Sequence, residues 1–422
     1  MAGLTTFLTM CYIIFVNPSI LAQAGMDYQS VMMATCLAAA LGTLIMGLYA
    51  NYPFALAPGM GLNAFFTFTI VLTMGYSWQQ GLAIVFISGV LFIMLTITGL
   101  RAGIVNALPA TIKHAIPAGI GLFIAFIGLN NSGVIRVNQG APVLQMGDIN
   151  DPGVLLTLGG FIVLSLLMLF KVRTAMLLAI LGVTLAGIPL GITSIPENIS
   201  FDGISLEPTF FKLDFRGLFN HQTAGGYWEL LFTFIMVVIS FTLVDLFDTM
   251  GTLLGTANKG NMLDHEGNLP RIDKALLADA VATTTGALLG TSTVTTYIES
   301  GSGIIAGGRT GLTAIVTGSL FLAAIVLAPV AGMVPVQATS PILVMVGLLM
   351  LDSLRKIDFE QFDEMLPALL VVIIMPFSYS IANGIAWGII MYTIIKLGAG
   401  KKNELHPIMY VLSALFVLRY FL

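Results

Sequence analysis

Charged residues are scarce in this chain of 422 residues. Only 9% are Asp, Glu, Lys or Arg, whereas soluble domains carry roughly 25%, so an ordinary soluble domain is excluded. The net charge of -4 is spread over the loops without a basic stripe, which argues against a nucleic-acid partner. Cysteine is almost absent. Cys11 and Cys36 both lie in apolar runs, so we expect reduced thiols that pack as small hydrophobic residues.

The chain also lacks the features of a cleavable signal peptide. The apolar stretch GLTTFLTMCYIIFVNP starts almost at Met1, with no basic region before it and no small-residue cleavage site. We expect either that a polar leader normally precedes this stretch or that the chain starts inside its first span.

Apolar residues make up 57% of the chain. A hydrocarbon core about 30 Å thick needs roughly 20 residues per helix, and the chain offers about fourteen apolar runs of this kind, two of them short or broken. Glycine and proline are frequent, at 45 and 17 residues, as expected where helices approach closely or break beside a cavity. The sequence therefore predicts an all-α polytopic membrane protein with 14 transmembrane segments in the lipid bilayer.

A long polar segment, residues 196–226, separates two halves of similar size; it includes Glu197 and Asp202. The first half contains the predicted spans 1 to 7, at about 3–22, 30–50, 59–74, 79–99, 115–130, 153–170 and 174–192. The second half contains spans 8 to 12, at about 228–256, 274–290, 291–307, 310–333 and 337–353. The apolar run 365–397 is long enough for spans 13 and 14, with a turn at SYSIANG.

Positive residues favour this division. With a cytoplasmic N-terminus, one side of the membrane receives Arg101, Lys171, Arg173, Lys259, Arg271, Lys274, Arg309, Arg355, Lys356, Lys396, Lys401 and Lys402. Positive residues concentrate in cytoplasmic loops, so we expect a multi-pass protein of the cell membrane with its N-terminus in the cytoplasm. The sequence does not fix the course of the last apolar segment, 406–422.

The two halves share a pattern of glycines around an interrupted span. Residues 40–61 and 284–303 align with spacings that are equal or differ by one, pairing Gly42, Gly47, Gly59 and Gly61 with Gly286, Gly290, Gly301 and Gly303. In each copy a small-residue helix leads to an extended run, a Gly-x-Gly and a half-helix. Each copy is the third span of a seven-span half, so we expect inverted repeats with two half-helices meeting near the midplane. Two kinked packing helices are the simpler alternative.

Three carboxylates lie in or beside these apolar segments. Asp245, Asp248 and Thr252 have helical i, i+3 and i+7 spacing and share one face. Glu299 precedes Gly301 and the second half-helix, where it either faces a solute or caps its own helix. A charge at bilayer depth is costly and by default indicates a substrate, ion or proton path.

Other polar and aromatic residues near the half-helices are candidate ligands for the same solute. Asn63 lies just inside the first half-helix and can donate and accept hydrogen bonds. Tyr297, Phe65 and Phe66 can stack on a flat ring, although an aromatic in this chain with 27 Phe is more often a packing residue. A carboxylate accepts hydrogen bonds when ionised and donates one when protonated, so such a site suits a heterocycle with adjacent N–H groups and a coupling proton.

Several strings in the chain carry a family resemblance. The segments VDLFDTMGTL, TTYIESGSGIIAGGRTGL, APGMGLNAFFTF and PFSYSIANGIAWG resemble the nucleobase transporter family of the nucleobase-cation symporter-2 type. Within it they are similar to the AzgA-like branch of purine permeases, nearest to bacterial hypoxanthine and guanine permeases. The resemblance extends over essentially the whole chain.

The resemblance implies a uracil-permease-type fold with short antiparallel strands in spans 3 and 10, at 53–58 and 293–298. It implies a core domain formed by residues 1–100 and 227–333 and a gate domain formed by residues 101–195 and 334–400. Residues 196–226 then form an extracellular loop and residues 401–422 an extra apolar segment. The family also suggests homodimers.

The resemblance further assigns functional residues. The acid pair of span 8 falls on Asp245 and Asp248, the glutamate of span 10 on Glu299 and the polar residue of span 3 on Asn63. The implied activity is purine:proton symport with no cofactor besides the coupling H⁺. Adenine-type members look to carry Asn at the position of Asp245, which favours hypoxanthine and guanine as substrates over adenine.

Two other classes of function are alternatives. Related folds transport anions such as sulfate or bicarbonate, which require positive potential, and we expect no Lys or Arg between the two half-helices here. An intramembrane aspartyl protease would use Asp248 and Glu299 as a catalytic pair, but catalysis would not require the repeat. We therefore expect a transporter and not an enzyme.

Overall fold

The computed structural model describes residues 1–99, 107–137, 143–195, 205–219, 226–265 and 269–420. Arg101, Glu197 and Asp202, which the sequence places in loops, lie outside the described residues. Within the described ranges the chain is mostly helical, with four short strands.

The first half contains eight α-helices in its described part. They are α1 Ala2–Met10, α2 Ile13–Leu21, α3 Tyr28–Ile45, α4 Met60–Ala64, α5 Trp78–Ile97, α6 Ala110–Asn131, α7 Pro152–Leu169 and α8 Ala175–Gly187. A 3-10 turn at Ala22–Ala24 extends α2, and π-helical turns at Met46–Ala50 and Phe65–Thr73 extend α3 and α4.

The second half contains nine α-helices among the residues described. They are α9 Gly226–Lys259, α10 Ile272–Leu289, α11 Ser300–Ile305, α12 Gly311–Ala323, α13 Ala328–Ala331, α14 Val336–Met350, α15 Phe362–Phe377, α16 Ile381–Gly398 and α17 Pro407–Arg419. The 3-10 segments are Gly217–Phe219, Ala324–Leu327, Leu351–Lys356 and Lys402–Glu404.

Nine helical segments in the described part of the chain are long and apolar enough to cross a membrane. They are Ala2–Ala24, Tyr28–Ala50, Trp78–Ile97, Ala110–Asn131, Pro152–Leu169, Leu231–Lys259, Gly311–Ala331, Val336–Lys356 and Ile381–Gly398. The other predicted spans correspond to helices that are shorter or less apolar. The chain is therefore a mostly helical polytopic membrane protein, and its division into 14 inverted spans stays a prediction.

Span 1 is two helices rather than the single predicted one. Helix α1 ends at Met10 and α2 begins at Ile13, and i to i+3 hydrogen bonds close the turn between them, from Ile14 N–H to Cys11 O and from Phe15 N–H to Tyr12 O, both 3.1 Å. Pro18 cannot donate a helical hydrogen bond, yet α2 continues through it. The turn places Tyr12 between the two helices.

The two predicted extended runs form one buried antiparallel pair. Strand β1, Leu56–Pro58, pairs with β4, Val294–Thr296, with Leu56 opposite Thr296. Pro53 and Pro58 prevent a helix before Gly59, and Gly59 N–H continues the ladder by donating to Thr293 O at 2.9 Å. The positions of these strands, inside 53–58 and 293–298, are confirmed.

Threonine hydroxyls satisfy the outer edges of this pair. Thr43 of α3 bonds both backbone groups of Leu56, donating to the carbonyl at 3.0 Å and accepting from the N–H at 2.9 Å. Thr283 of α10 donates to Val294 O at 2.8 Å. In the apolar interior an unpaired backbone group costs several kcal/mol, so these threonines make a two-stranded sheet tenable at this depth.

A second hairpin, which the sequence did not predict, lies at the surface. Strand β2, Ile135–Val137, pairs with β3, Leu144–Met146. Arg136 pairs with Asp151 at 2.8 Å, and Asp151 accepts from Gly153 N–H at 2.8 Å to cap α7. The Gly153 amide and the Arg136 guanidinium together lower the pKa of Asp151.

The end of the chain forms a helical hairpin and a third helix packed on it. The predicted split of 365–397 is confirmed, since α15 ends at Phe377 and α16 begins at Ile381. The course of the last segment is now defined, because α17 packs on α16, with Ser413 donating to Thr393 Oγ1 at 2.7 Å. Both cysteines are free and buried, as expected.

Candidate functional site

Two half-helices begin directly beyond the buried strand pair. Strand β1 leads through Gly59 into α4, and β4 leads through Glu299 into α11. Tyr297 links the segments that connect each strand to its half-helix, since its buried hydroxyl donates to Pro58 O at 2.5 Å. The interrupted spans of the two halves therefore meet, as the glycine pattern predicted, and residues on either approach become neighbours.

Asp248 of α9 faces the beginning of the first half-helix. Its Oδ2 lies 3.7 Å from the position that a Cβ on Gly59 would take. That Cβ would also stand 2.5 Å from Thr295 Cγ2, so only glycine fits between the strand pair and Asp248.

Glu299 is the N-cap residue of α11, but its side chain does not cap the helix. Its Oε1 instead accepts a hydrogen bond of 2.6 Å from the hydroxyl of Tyr12. This partner was missed at the sequence level, because nothing in the apolar run around Tyr12 indicates a helix break there. The contact orients the Glu299 carboxylate and makes the capping alternative the weaker one.

Asp245 and Thr252 lie on α9 on either side of Asp248. Asp245 is buried, with 1% of its surface exposed, and Thr252 is half-buried. The continuous helix from Gly226 to Lys259 confirms that these three side chains share a face.

Asn63 belongs to a buried polar network inside the protein. Its amide nitrogen donates to Asn17 Oδ1 at 2.6 Å, and its oxygen accepts from the hydroxyl of Ser292. Asn17 in turn donates to Thr35 at 2.7 Å and to Thr291 at 2.9 Å. In this conformation Asn63 joins α2, α3 and the approach to β4, and it does not line the cavity described below.

The predicted aromatic residues pack between helices. Phe65 and Phe66 are both buried; the Phe65 ring lies 4.7 Å from that of Phe241, and a Cβ on Gly81 would stand 2.7 Å from the Phe66 ring. Both contacts match the packing alternative rather than a free stacking surface.

A further acid, Asp279 of α10, was not singled out from the sequence. It is fully buried and accepts hydrogen bonds from Thr249 at 2.8 Å and from Thr296 at 3.2 Å. The available signal was an acid inside the apolar helix pattern LLADAVATTTG. Its contacts join α9, α10 and β4 behind the two half-helices.

A cavity of about 780 Å³ reaches Glu299 from one end of the helices. Of the predicted site residues, Glu299 and Gly301 line it; Thr9 and Ser302, which share a hydrogen bond of 2.9 Å, line it beside them. The opposite wall is formed by residues around α7, α8 and α14, including Arg173, Asp352 and Arg355. This volume is within the range of about 300–1,000 Å³ that is usual for small-molecule sites.

A lysine also lines this cavity beside the second half-helix. Lys259 ends α9, and its Cδ and Nζ lie 3.4 and 3.8 Å from the position of a Cβ on Gly301. The helix continues to this residue, about one turn past the predicted end of span 8 near 256.

One group of carboxylates in the described part of the chain has the spacing of a metal site. It consists of Asp363, Glu364 and Glu404. The Lys396 ammonium lies among them, 2.8, 2.6 and 2.6 Å from their oxygens. An internal cation thus already pairs with all three carboxylates.

The comparisons with known proteins agree with these motifs. The family model Xan_ur_permease, described as the Permease family, matches residues 1–387. The chain is 44% identical over 427 residues to a guanine/hypoxanthine permease of Bacillus subtilis, covering 99% of this chain and 94% of the relative. It is 43% identical over 423 residues to an adenine permease of Escherichia coli, covering 99% and 91%.

A solved structure shows the same fold at much lower identity. The transmembrane domain of a cyanobacterial bicarbonate transporter superposes with a TM-score of 0.64 and 15% identity, over 90% of this chain and 96% of that domain. At this identity the likeness concerns the fold alone. On the family match and the close relatives, the chain belongs to the Permease family of nucleobase transporters, of the nucleobase-cation symporter-2 type.

Proposed function

We propose that this protein takes up purine nucleobases together with a proton. The observation that carries the proposal is the Glu299 carboxylate, oriented by Tyr12 at the wall of a cavity that reaches one end of the molecule. A carboxylate presents two acceptor oxygens. With Oε1 bonded to Tyr12, Glu299 can still receive adjacent N–H donors of a purine ring.

The proposed coupling to a proton is based on the carboxylates near the two half-helices. Asp248 lies beside Gly59 at the beginning of α4, Glu299 lies at the beginning of α11, and the strand pair joins these two regions. Two neighbouring carboxylates are more stable when they share a proton than when both are ionised. Binding a neutral purine with one proton would leave the site less charged while it crosses the apolar interior. Asp245, Asp248 and Glu299 are the proposed proton-coupling residues.

The remaining proposed ligands lie at different depths relative to this cavity. Gly301 shares the cavity wall with Glu299, and Thr252 lies on the same helical face as Asp248. Tyr297, Asn63 and Phe66 are bonded or packed within the protein in this conformation. They would contact the purine only after a rearrangement.

The proposed movement is that of a core domain against a gate domain, by an elevator-like or rocking motion. Fourteen spans in two inverted repeats, a cytoplasmic N-terminus, a position in the cell membrane and a homodimer all belong to this proposal. The cavity is bounded by Arg173, Lys259 and Arg355, whose side of the membrane is the cytoplasmic one on the positive-residue rule. The conformation is then open inward.

Hypoxanthine and guanine are the favoured substrates because Asp245 stands where adenine-type members look to carry Asn. The relatives named above include both an adenine permease and a guanine/hypoxanthine permease at nearly equal identity, so the preference depends on this position alone. Anion transport is not favoured, since carboxylates outnumber Lys259 at the half-helices. The relatives are permeases, which are transporters rather than enzymes.

The test is competition for labelled hypoxanthine uptake in cells that lack their own purine permeases. We expect guanine to compete strongly, adenine and xanthine less, and uracil not at all, and we expect a protonophore to stop accumulation. Glu299→Gln should abolish uptake without loss of membrane insertion. Glu207→Gln, at an exposed residue, is the matched control and should transport normally. Uptake that survives the protonophore would refute symport, and an active Glu299→Gln variant would remove Glu299 from the site.

A further inference from the structure

Lys259 lies on the same face of α9 as the acids of the proposed site. It follows Asp248 by eleven residues and Asp245 by fourteen, which are close to three and four turns of 3.6 residues. Thr252 and Thr256 occupy the same face between them. The helix thus carries a polar stripe from the acids to a cation at its end.

The side chain of Lys259 passes Gly301 at the beginning of α11. The position of a Cβ on Gly301 lies 3.4 Å from Cδ of Lys259 and 3.9 Å from Thr256 Cγ2, both ordinary van der Waals distances. Gly301 is two residues from Glu299, and Lys259 and Glu299 line the same cavity. This geometry places the ammonium on the same wall of the cavity as the carboxylate.

The other charged and titratable groups around Glu299 have different roles. Tyr12 donates to Oε1 of Glu299. On the side of the strand pair, Tyr297 donates to Pro58 O, and Asp248 lies beside Gly59. On the opposite wall Arg355 pairs with Asp352 at 3.1 Å. Arg173 is exposed between α7 and α8.

The three cations at this cavity belong to different predicted domains, and this determines which of them moves with Glu299. Arg173 and Arg355 belong to the predicted gate domain, whereas Lys259 and Glu299 both belong to the predicted core domain. In any movement of core against gate, Lys259 therefore stays beside Glu299, and the two arginines separate from it. Of these three cations, only Lys259 can therefore stay near Glu299 throughout the transport cycle.

We propose that Lys259 balances the charge of Glu299 after the purine and its proton have left, so that the empty carrier can return. The proton passes from the Glu299 carboxyl group to water in the cavity, and the carboxylate left behind is compensated by the permanent charge of the ammonium. Lys259 is thus a positioning residue for the return step, and it needs no contact with the purine. This inference rests on the proposed proton symport.

Two transport assays, net uptake and exchange, distinguish a role of Lys259 in the return step from a role in the fold or in purine binding. Exchange of internal for external purine can proceed with the proton bound throughout, whereas net uptake requires the empty, deprotonated carrier to return. In proteoliposomes, Lys259→Gln should lower net hypoxanthine uptake about tenfold and leave exchange within about twofold of wild type. Lys259→Arg should restore most of the net uptake. Lys274→Gln, which removes an exposed cation at the beginning of α10, should match wild type in both assays.

Two results would overturn the inference. A parallel loss of exchange and net uptake in Lys259→Gln, at equal amounts of inserted protein, would mean that Lys259 holds the fold or binds the purine. Unchanged net uptake would mean that its charge is irrelevant to return. The proposed function fails separately, and the inference with it, if net uptake by the wild-type protein does not respond to an imposed proton gradient.

Discussion

Removing the hydroxyl of Tyr12 should impair transport far more than stability. The variant Tyr12→Phe keeps the ring in place and deletes only the donor that contacts Glu299 Oε1 at 2.6 Å. Hydrogen bonds between helices in a membrane stabilise the fold by about 0.6 kcal/mol on average and about 1.7 at most. Unfolding of the variant should therefore need nearly the same temperature as wild type.

The effect on function is expected to be larger because the carboxylate loses the contact that fixes its orientation. A misplacement of about 1 Å at a binding or reacting group can lower a rate by about a hundredfold, and this loss is separate from the free energy of unfolding. If the purine is bound by the carboxylate in the orientation that Tyr12 imposes, kcat/KM for hypoxanthine should fall by roughly tenfold to a hundredfold.

The assay combines initial rates of uptake with a thermal melt of the purified protein in detergent. Tyr28→Phe is the matched control, because it deletes a hydroxyl whose only described bond is a long one of 3.3 Å to Phe15 O. We expect this control to transport like wild type. A Tyr12→Phe variant with kcat/KM within twofold of wild type would refute the role of this contact. A variant that loses transport and thermal stability in proportion would show that Tyr12 acts through the fold.

Two further variants test the buried charges outside the cavity. Lys396→Met should destabilise the protein by about 1.5–3 kcal/mol, because Glu364 and Glu404 lose their ion-pair partner and Asp363 keeps only Lys401, at 2.8 Å. The exposed Lys402→Met should leave the melting temperature unchanged, and equal melting temperatures of the two variants would contradict the role of Lys396. Asp279→Leu should lower the free energy of unfolding by about 2–5 kcal/mol, because the Thr249 and Thr296 hydroxyls lose their acceptor. The isosteric Asp279→Asn should lower it clearly less. If Asp279→Asn melted at a lower temperature than Asp279→Leu, this account of Asp279 would be refuted.

The sequence was sufficient for the parts of the fold that depend on local chemistry. Pro53 and Pro58 forbid a helix, so the extended run before Gly59 could be placed within a few residues, and the glycine pairs located its counterpart before α11. Buried acids in an apolar chain are conspicuous for the same reason, because their desolvation is costly. Asp248 accordingly lies beside Gly59 before the first half-helix, and Glu299 lies at the beginning of the second.

The sequence was insufficient where a contact depends on one helical turn or on distant segments. No proline or glycine marks the helix break beside Tyr12. The sequence therefore did not indicate that the Tyr12 hydroxyl contacts Glu299. Lys259 was misplaced because the end of α9 was predicted one turn early. Asn63 was read as a free ligand, but its partners Asn17 and Ser292 lie far away in the sequence and become neighbours only through the packing of α2 and β4.

The most direct test of the central claim is purine accumulation driven by an imposed pH gradient in proteoliposomes that contain only this protein. With an inward proton gradient and the membrane potential clamped, labelled hypoxanthine should accumulate above its external concentration, and the accumulation should disappear when the gradient is collapsed. Glu299→Gln vesicles should show neither. Equal hypoxanthine levels inside and outside, whatever the gradient, would contradict proton-coupled purine transport by this protein.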